Sequence, residues 1–378
     1  MSNFPINPAL LEVPLYIGGK SIEEVKEELG LERVVKLASN ESPAGPSPFA
    51  IEAIKSALAE THRYPGTADR DLRRKLAEYH QHALEEQNFV IGNGGTDVLR
   101  MLTQAFVFRG GNTIMSRATF PMYHILTTAC GGTPRFVDPT PDYRHDLAAM
   151  LEQIDHDTRI IFLCSPNNPT GTVLSQSEAE WFLERVPPEV VVVFDEAYAD
   201  FVDAGDYADS LSFVADGRNV LTVRSFSKSA GLANLRVGYL VGHSEIADYV
   251  RHTQMPFHSS GIALRAALAS IADEEYRAAC RRVVRKGREY LYSEISTLQL
   301  ECLPSQANFV CIVNPPLEAS DMVDALLRRG YIVRAMSLFG MPEAVRVSVG
   351  TREQNEGFVA ALAAVLAEAR VAAEALAG

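Results

Sequence analysis

Cysteine is scarce in this chain of 378 residues. Its five cysteines (Cys130, Cys164, Cys280, Cys302 and Cys311) are odd in number, widely spaced and never arranged as C-x-x-C. That pattern excludes a disulfide framework and a zinc ribbon, and it leaves buried free thiols and no expected metal site. No run of about 18 apolar residues occurs, so no membrane span is expected. Residues 1–20 lack a basic segment followed by an apolar stretch of signal-peptide length. A reducing cytoplasm fits these absences. Basic charge is also short: 35 Lys and Arg against 48 Asp and Glu give a formal charge of −13. Such a balance disfavours nucleic-acid phosphates and anionic membrane surfaces as partners. It leaves room for a local basic pocket around an anionic substrate. Disorder is excluded as well, because 47% of the residues are hydrophobic and only 22% charged.

What is present points to about two domains, at the usual ~100–200 residues each. Residues 1–45 read as an N-terminal arm joining the smaller domain, rich in Pro and Gly, with one short helix around Ile22 to Leu29. Ser47-Pro48 then reads as an N-cap with proline at the first helical position. From Phe89 to Val241, nearly uninterrupted apolar runs alternate with helical patterns. The runs are 89–91, 113–115, 160–163, 190–194 and 220–223. Apolar strands of this kind belong in a sheet covered on both faces. Their alternation with helices predicts a mostly parallel α/β sheet. Ser175 with Glu178 predicts a capping box. After His258 the texture changes to long helical patterns over 262–298, strands at 307–313, 331–334 and 345–349, and an Ala-rich last helix capped by Thr351 and Gln354. The expected division is a large domain at 46–265 and a smaller α+β domain at 266–378.

Four segments carry candidate chemistry. Gly92-Asn93-Gly94-Gly95-Thr96-Asp97 lies between a strand and a helix placed near Val98, and a glycine-rich turn at a helix N-terminus can cradle a phosphate. An ordinary tight turn is the plainer alternative. Ser165-Pro166-Asn167-Asn168-Pro169-Thr170-Gly171 follows an apolar strand, at the strand end where α/β sheets place ligands; a surface turn is the alternative. Phe194-Asp195-Glu196-Ala197-Tyr198 ends another strand, and a carboxylate at a buried strand tip calls for a cation or strong donor. Helix capping would also account for it. In the fourth segment, Ser225-Phe226-Ser227-Lys228-Ser229, a lysine sits among hydroxyls with Arg236 eight residues on, an arrangement suited to an anionic group. A solvated surface lysine is the default for any one lysine alone.

Together, in this order and spacing, the four segments resemble the class I/II, fold-type I aminotransferases that depend on pyridoxal 5′-phosphate, over nearly the whole chain. The resemblance implies a mostly parallel seven-stranded sheet in the large domain. It also implies that Lys228 holds the cofactor as a Schiff base and shuttles a proton, and that Asp195 keeps the pyridine nitrogen protonated. Asn168 and Tyr198 would donate to the ring oxygen, and Phe120 would stack on the ring. Gly95, Thr96, Ser225, Ser227 and Arg236 would form the phosphate cup. Tyr64 would reach the phosphate in a neighbouring subunit, which implies a homodimer with shared active sites. Arg346 would clamp a carboxylate through its planar fork.

Within that family, Lys36-Leu37-Ala38-Ser39-Asn40-Glu41-Ser42-Pro43, Tyr64-Pro65-Gly66 and Tyr331 to Arg334 resemble the histidinol-phosphate aminotransferases. This implies L-histidinol phosphate as amino donor and 2-oxoglutarate as the 2-oxo acid acceptor, with Tyr16, Asn40, Arg334 and Arg346 at the substrate. Ser42, His258 and the apolar run Ala335 to Phe339 depart from that pattern. The first stands where asparagine is usual, the second falls near the expected substrate phosphate, and the third would suit an aromatic side chain. An aromatic amino acid aminotransferase therefore stays open, as does a decarboxylase of the same fold.

Overall fold

The computed structural model describes residues 6, 8–13, 18–108 and 110–377. Tyr16 lies outside them. The arm supplies helix α1 (Ile22–Leu29), closed by a Ser21–Glu24 capping box, and strand β1 (Val35–Lys36). Helices α2 (Pro48–Ala57) and α3 (Ala68–His80) follow, and Ser47 caps α2 through the amides of Phe49 and Ala50.

Seven strands then form one sheet: β2 (Phe89–Gly92), β3 (Asn112–Ser116), β4 (Thr133–Val137), β5 (Thr158–Cys164), β6 (Val191–Asp195), β7 (Val220–Ser225) and β8 (Gly238–Gly242). Their spatial order is β2-β8-β7-β6-β5-β3-β4. Strand β8 runs antiparallel to both neighbours, and the remaining pairings are parallel. Between the strands run α4 (Gly95–Phe106), α5 (Met122–Ala129), α6 (Leu147–Glu152), α7 (Gln176–Leu183) and α8 (Ser210–Ala215), and α9 (Ser244–Arg251) follows β8. The period-two alternation of each strand divides the core. Ile161, Leu163, Val192 and Phe194 pack with α3, α6, α7 and α8 on one face, while Ile160, Phe162, Val191 and Val193 pack with α4, α5 and α9 on the other. Both faces are covered, as the uninterrupted apolar runs require.

Helix α10 (Gly261–Ala272) packs on α2 and α3. It runs straight through the expected division at 265/266. Asp273, next in the chain, caps α11 (Glu274–Thr297) and also accepts a hydrogen bond from Ser47 at 2.6 Å. Beyond it lie β9 (Glu301–Leu303), β10 (Phe309–Val313), α12 (Ala319–Arg328), β11 (Tyr331–Ile332), β12 (Arg334–Met336), β13 (Met341–Ser348) and α13 (Arg352–Ala377). The second sheet, ordered β12-β13-β10-β9, is antiparallel and buries Val310, Ile312, Val345 and Val347 against α11, α12 and α13.

The expected single strand at 331–334 is instead two. Strand β11 pairs with β1 of the arm, and β12 with β13, so the chain changes sheets at Val333. Among the described residues, no helix is long and apolar enough to cross a membrane.

Candidate active site

Strands β5, β6 and β7 end side by side, and their carboxyl ends open on a cavity of about 280 Å³. Asp195 closes β6 and is only 5% exposed. Tyr123, on the first turn of α5, donates to its Oδ2 at 2.7 Å, and the Ala197 amide donates to Oδ1 at 3.1 Å. Burial pushes the Asp195 carboxyl up to about 6, against the downward pull of these two donors and of the Lys228 amine. Glu196, one residue on, points to the opposite side as strand alternation demands. There Arg224 grips one of its oxygens through two nitrogens, at 2.9 and 2.6 Å.

Lys228 lies beyond the end of β7, partly open to the cavity. Its Nζ donates to the Ser39 carbonyl at 2.9 Å and stands 5.6 Å from the centre of the Tyr198 ring. Burial, with Arg346 and Arg236 adding like charge, lowers the ammonium to about 7, although Glu41 and Asp195 oppose the shift. The amine is therefore close to half-neutral at physiological pH. Burial raises the Tyr198 phenol to about 12, which keeps it a protonated donor. Asn40 in turn donates to the Tyr198 hydroxyl at 3.0 Å.

At one end of the cavity, α4 begins at Gly95, three residues before the expected start near Val98, so Gly95 and Thr96 present first-turn amides. Gly94, its cap, has φ +82°, and a Cβ there would meet Arg236 Nη2 at 2.5 Å. Only glycine lets that guanidinium lie against the turn. Ser225 and Ser227 line the same end, and Arg236 is steadied by the Ala233 carbonyl at 3.0 Å.

At the other end, Arg334 on β12 and Arg346 on β13 are direct cross-strand partners. Like charges placed so are ordinarily destabilising. Both guanidiniums lie over the buried Phe339 ring, at 5.6 and 5.3 Å from its centre. Ring faces attract cations and lessen the penalty. Arg346 also donates to Asn168 and, at 2.7 Å, to the Ala38 carbonyl. Phe120 and Phe339 stand 6.5 Å apart as aromatic walls.

The structure thus brings together Asn40, Gly95, Thr96, Phe120, Asn168, Asp195, Tyr198, Ser225, Ser227, Lys228, Arg236, Arg334 and Arg346 around one cavity. Among the described residues, two expected ones are not in its lining. Tyr64 is 76% exposed and stacks on Phe257 at 4.2 Å. The His258 ring, expected near a substrate phosphate, instead faces the Ile91 carbonyl at 2.9 Å and Ser259 at 3.1 Å. Those bonds tie it to the end of β2, because residues 254–259 fold back onto that strand through Gln254 as well.

The family described as aminotransferase class I and II matches residues 32–362. The chain belongs to that family. The histidinol-phosphate aminotransferase of Moorella thermoacetica is 42% identical over 95% of this chain and 92% of its own. That of Halalkalibacterium halodurans is 42% identical over 96% and 97%. Among solved structures, the histidinol-phosphate aminotransferase of Sinorhizobium meliloti in complex with pyridoxal-5′-phosphate superposes with a TM-score of 0.87. It is 26% identical and covers 97% of this chain and 98% of its own. Aspartate aminotransferase from Thermus thermophilus shares the fold, with a TM-score of 0.83 at 21% identity. This chain is accordingly a pyridoxal-phosphate-dependent enzyme of amino-group transfer.

Two contributors to the aminotransferase site escaped the sequence reading. Tyr123 carried only a weak signal, its place three residues after Phe120, because Phe120 precedes α5 and helical spacing does not relate the two rings. The opposition of Arg334 and Arg346 carried none, because it depends on the register of two strands.

Proposed function

We propose that this aminotransferase moves the amino group of L-histidinol phosphate to 2-oxoglutarate, giving imidazole-acetol phosphate and L-glutamate. The donor set fits pyridoxal 5′-phosphate. A buried carboxylate whose described partners are neutral donors calls for a cation such as a protonated ring nitrogen. The first turn of α4, two serines and Arg236 suit a phosphate, and the glycine cradle leaves room for it. Lys228 would hold the aldehyde carbon, and Asn168 and Tyr198 the ring oxygen. When bound, the cofactor supplies an electron-withdrawing ring that takes up charge from the substrate's α-carbon.

The chain's own residues do the rest. Lys228 Nζ, near half-neutral at pH 7, moves a proton to and from that carbon. Asp195 keeps negative charge at the cavity floor, and Phe120 presents a flat wall to a ring. Arg334 and Arg346 bind the substrate's anion, a phosphate in one half-reaction and carboxylates in the other. This paired-guanidinium end is the observation that carries the reading, because the donor lacks an α-carboxylate and the acceptor has two. Whole-chain identity to histidinol-phosphate aminotransferases supports it.

Phe339 and Phe120 favour a second reading, aromatic amino acids as donors. A competition panel of histidinol phosphate, phenylalanine and tyrosine with 2-oxoglutarate decides between them. The first reading expects histidinol phosphate to dominate glutamate formation, and a phenylalanine or tyrosine preference overturns it.

The working form is a cytoplasmic homodimer in which Tyr64 enters the neighbouring subunit's phosphate end. Its exposure and its absence from the lining of its own cavity support that role. The large domain extends to Ala272 and the smaller one begins at Asp273, with the arm attached to the latter through the β1–β11 ladder.

A further inference from the structure

Four cations face the cavity, namely Lys228, Arg236, Arg334 and Arg346, but only two carboxylates do among the described residues: Asp195 and Glu41. Asp195 sits at the floor and is engaged by Tyr123 and Ala197. Glu41 stands at the mouth, with its side chain 48% exposed. Lys36 reaches its Oε1 at 3.3 Å, while Oε2 takes no hydrogen bond from the described residues.

The backbone before it is held firmly. Asn40 adopts φ +55°, a left-handed conformation uncommon outside glycine. Its amide donates to the Ser348 hydroxyl at 2.8 Å, its carbonyl accepts from Asn308 at 3.0 Å, and its side chain bonds Tyr198 and Ser348. These bonds fix the backbone from which the Glu41 side chain reaches the cavity. The mouth therefore offers guanidiniums to an anion and one carboxylate to a cation or N–H donor.

Resting on the histidinol phosphate reading, we infer that Glu41 is the specificity residue for the substrate's ring: its carboxylate accepts the imidazole N–H and favours the protonated ring. An imidazole with a pKa of about 6.5 is a cation at pH 6 and neutral at pH 8.5. Charge-assisted hydrogen bonds are the stronger ones, so the contribution of Glu41 is largest at the lower pH. A substrate that keeps the amine and the phosphate but carries a phenyl ring gains nothing from it.

The test compares holoenzyme kinetics of wild type and Glu41→Gln on L-histidinol phosphate and on L-phenylalaninol phosphate, at pH 6 and pH 8.5. The quantity read is the ratio of kcat/KM for the first substrate to that for the second, which cancels the titration of the shared phosphate. Glu41→Gln is expected to lower this ratio about tenfold at pH 6, and by clearly less at pH 8.5. A ratio within about twofold of wild type, or a loss equal at both pH values, overturns the inference. If the wild type turns over phenylalaninol phosphate and leaves histidinol phosphate untouched, the parent reading fails and takes this inference with it.

Discussion

Tyr123 and Asp195 show how one neutral hydroxyl can shift the titration of a buried carboxylate. Burial drives the carboxyl up to about 6, and the Tyr123 hydroxyl holds it below where burial alone would leave it. Removing that donor raises the carboxyl further. Tyr123→Phe is thus expected to shift the acid limb of the kcat profile to higher pH and to lower kcat about tenfold near pH 6.5. Stacking on Phe162, at 4.6 Å between ring centres, keeps the variant folded. An unshifted limb would detach Tyr123 from Asp195.

Lys228 is a liability to the cofactor-free fold. Its ammonium is lowered to about 7 from an ordinary 10.5, so between those values the unfolded chain binds the extra proton and stability rises with pH. Below pH 7 the cost of the buried charge is fully present, and above about 10.5 it is absent. In the cofactor-free protein, Lys228→Met should raise Tm more at pH 6 than at pH 10. Equal shifts at both values would mean that the amine is not desolvated.

At the level of elements, the caps and the buried strands were legible. Ser175 with Glu178 forms the expected capping box, Ser47 caps α2, and Thr351 exchanges hydrogen bonds with Gln354 at the last helix. Each is a local signal, readable because the residues that make it are neighbours in the chain. Strand β4 was not legible: Pro134 and Arg135 interrupt its pattern, since it is an edge strand with one open side. Strand β8 is flanked by Gly238 and Gly242, which read as turn formers. A Cβ at Gly238 would come within 2.5 Å of the Gly95 amide, so glycine is required there by the close approach of α4. The split of 331–336 between two sheets depends on the distant arm, which no local pattern records. The Ser47–Asp273 hydrogen bond joins the start of α2 to the start of α11, so Ser47→Ala removes a cap and that link at once. Chemical denaturation should show a loss of about 1–2 kcal/mol, and an unchanged midpoint would contradict the role of this junction.

On the scale of the whole molecule, the cavity lies where the ends of β5, β6 and β7 face the second sheet. The chemistry of both is needed at once, with Asp195 and Lys228 from the large sheet and Arg334 and Arg346 from the small one. The four segments of the large sheet were legible because each is short and contiguous. The paired-guanidinium end was half-legible, its arginines named but their opposition across β12 and β13 hidden in the register. Tyr64, exposed and outside the lining of its own cavity, makes a prediction about assembly. Inactive Tyr64→Ala and Lys228→Ala chains, mixed and allowed to exchange, should regain activity, because one site of each mixed dimer carries an intact Lys228 and an intact Tyr64. No recovery from a mixture proven to contain mixed dimers would remove Tyr64 from the neighbouring site.

The central claim is that Lys228 alone holds the cofactor beside Asp195. Purified protein loaded with pyridoxal 5′-phosphate, reduced with borohydride and digested, tests it by peptide mass. The account predicts the phosphopyridoxyl mass on the peptide containing Lys228 and on no other lysine. That mass on a different lysine, or on none, would contradict it.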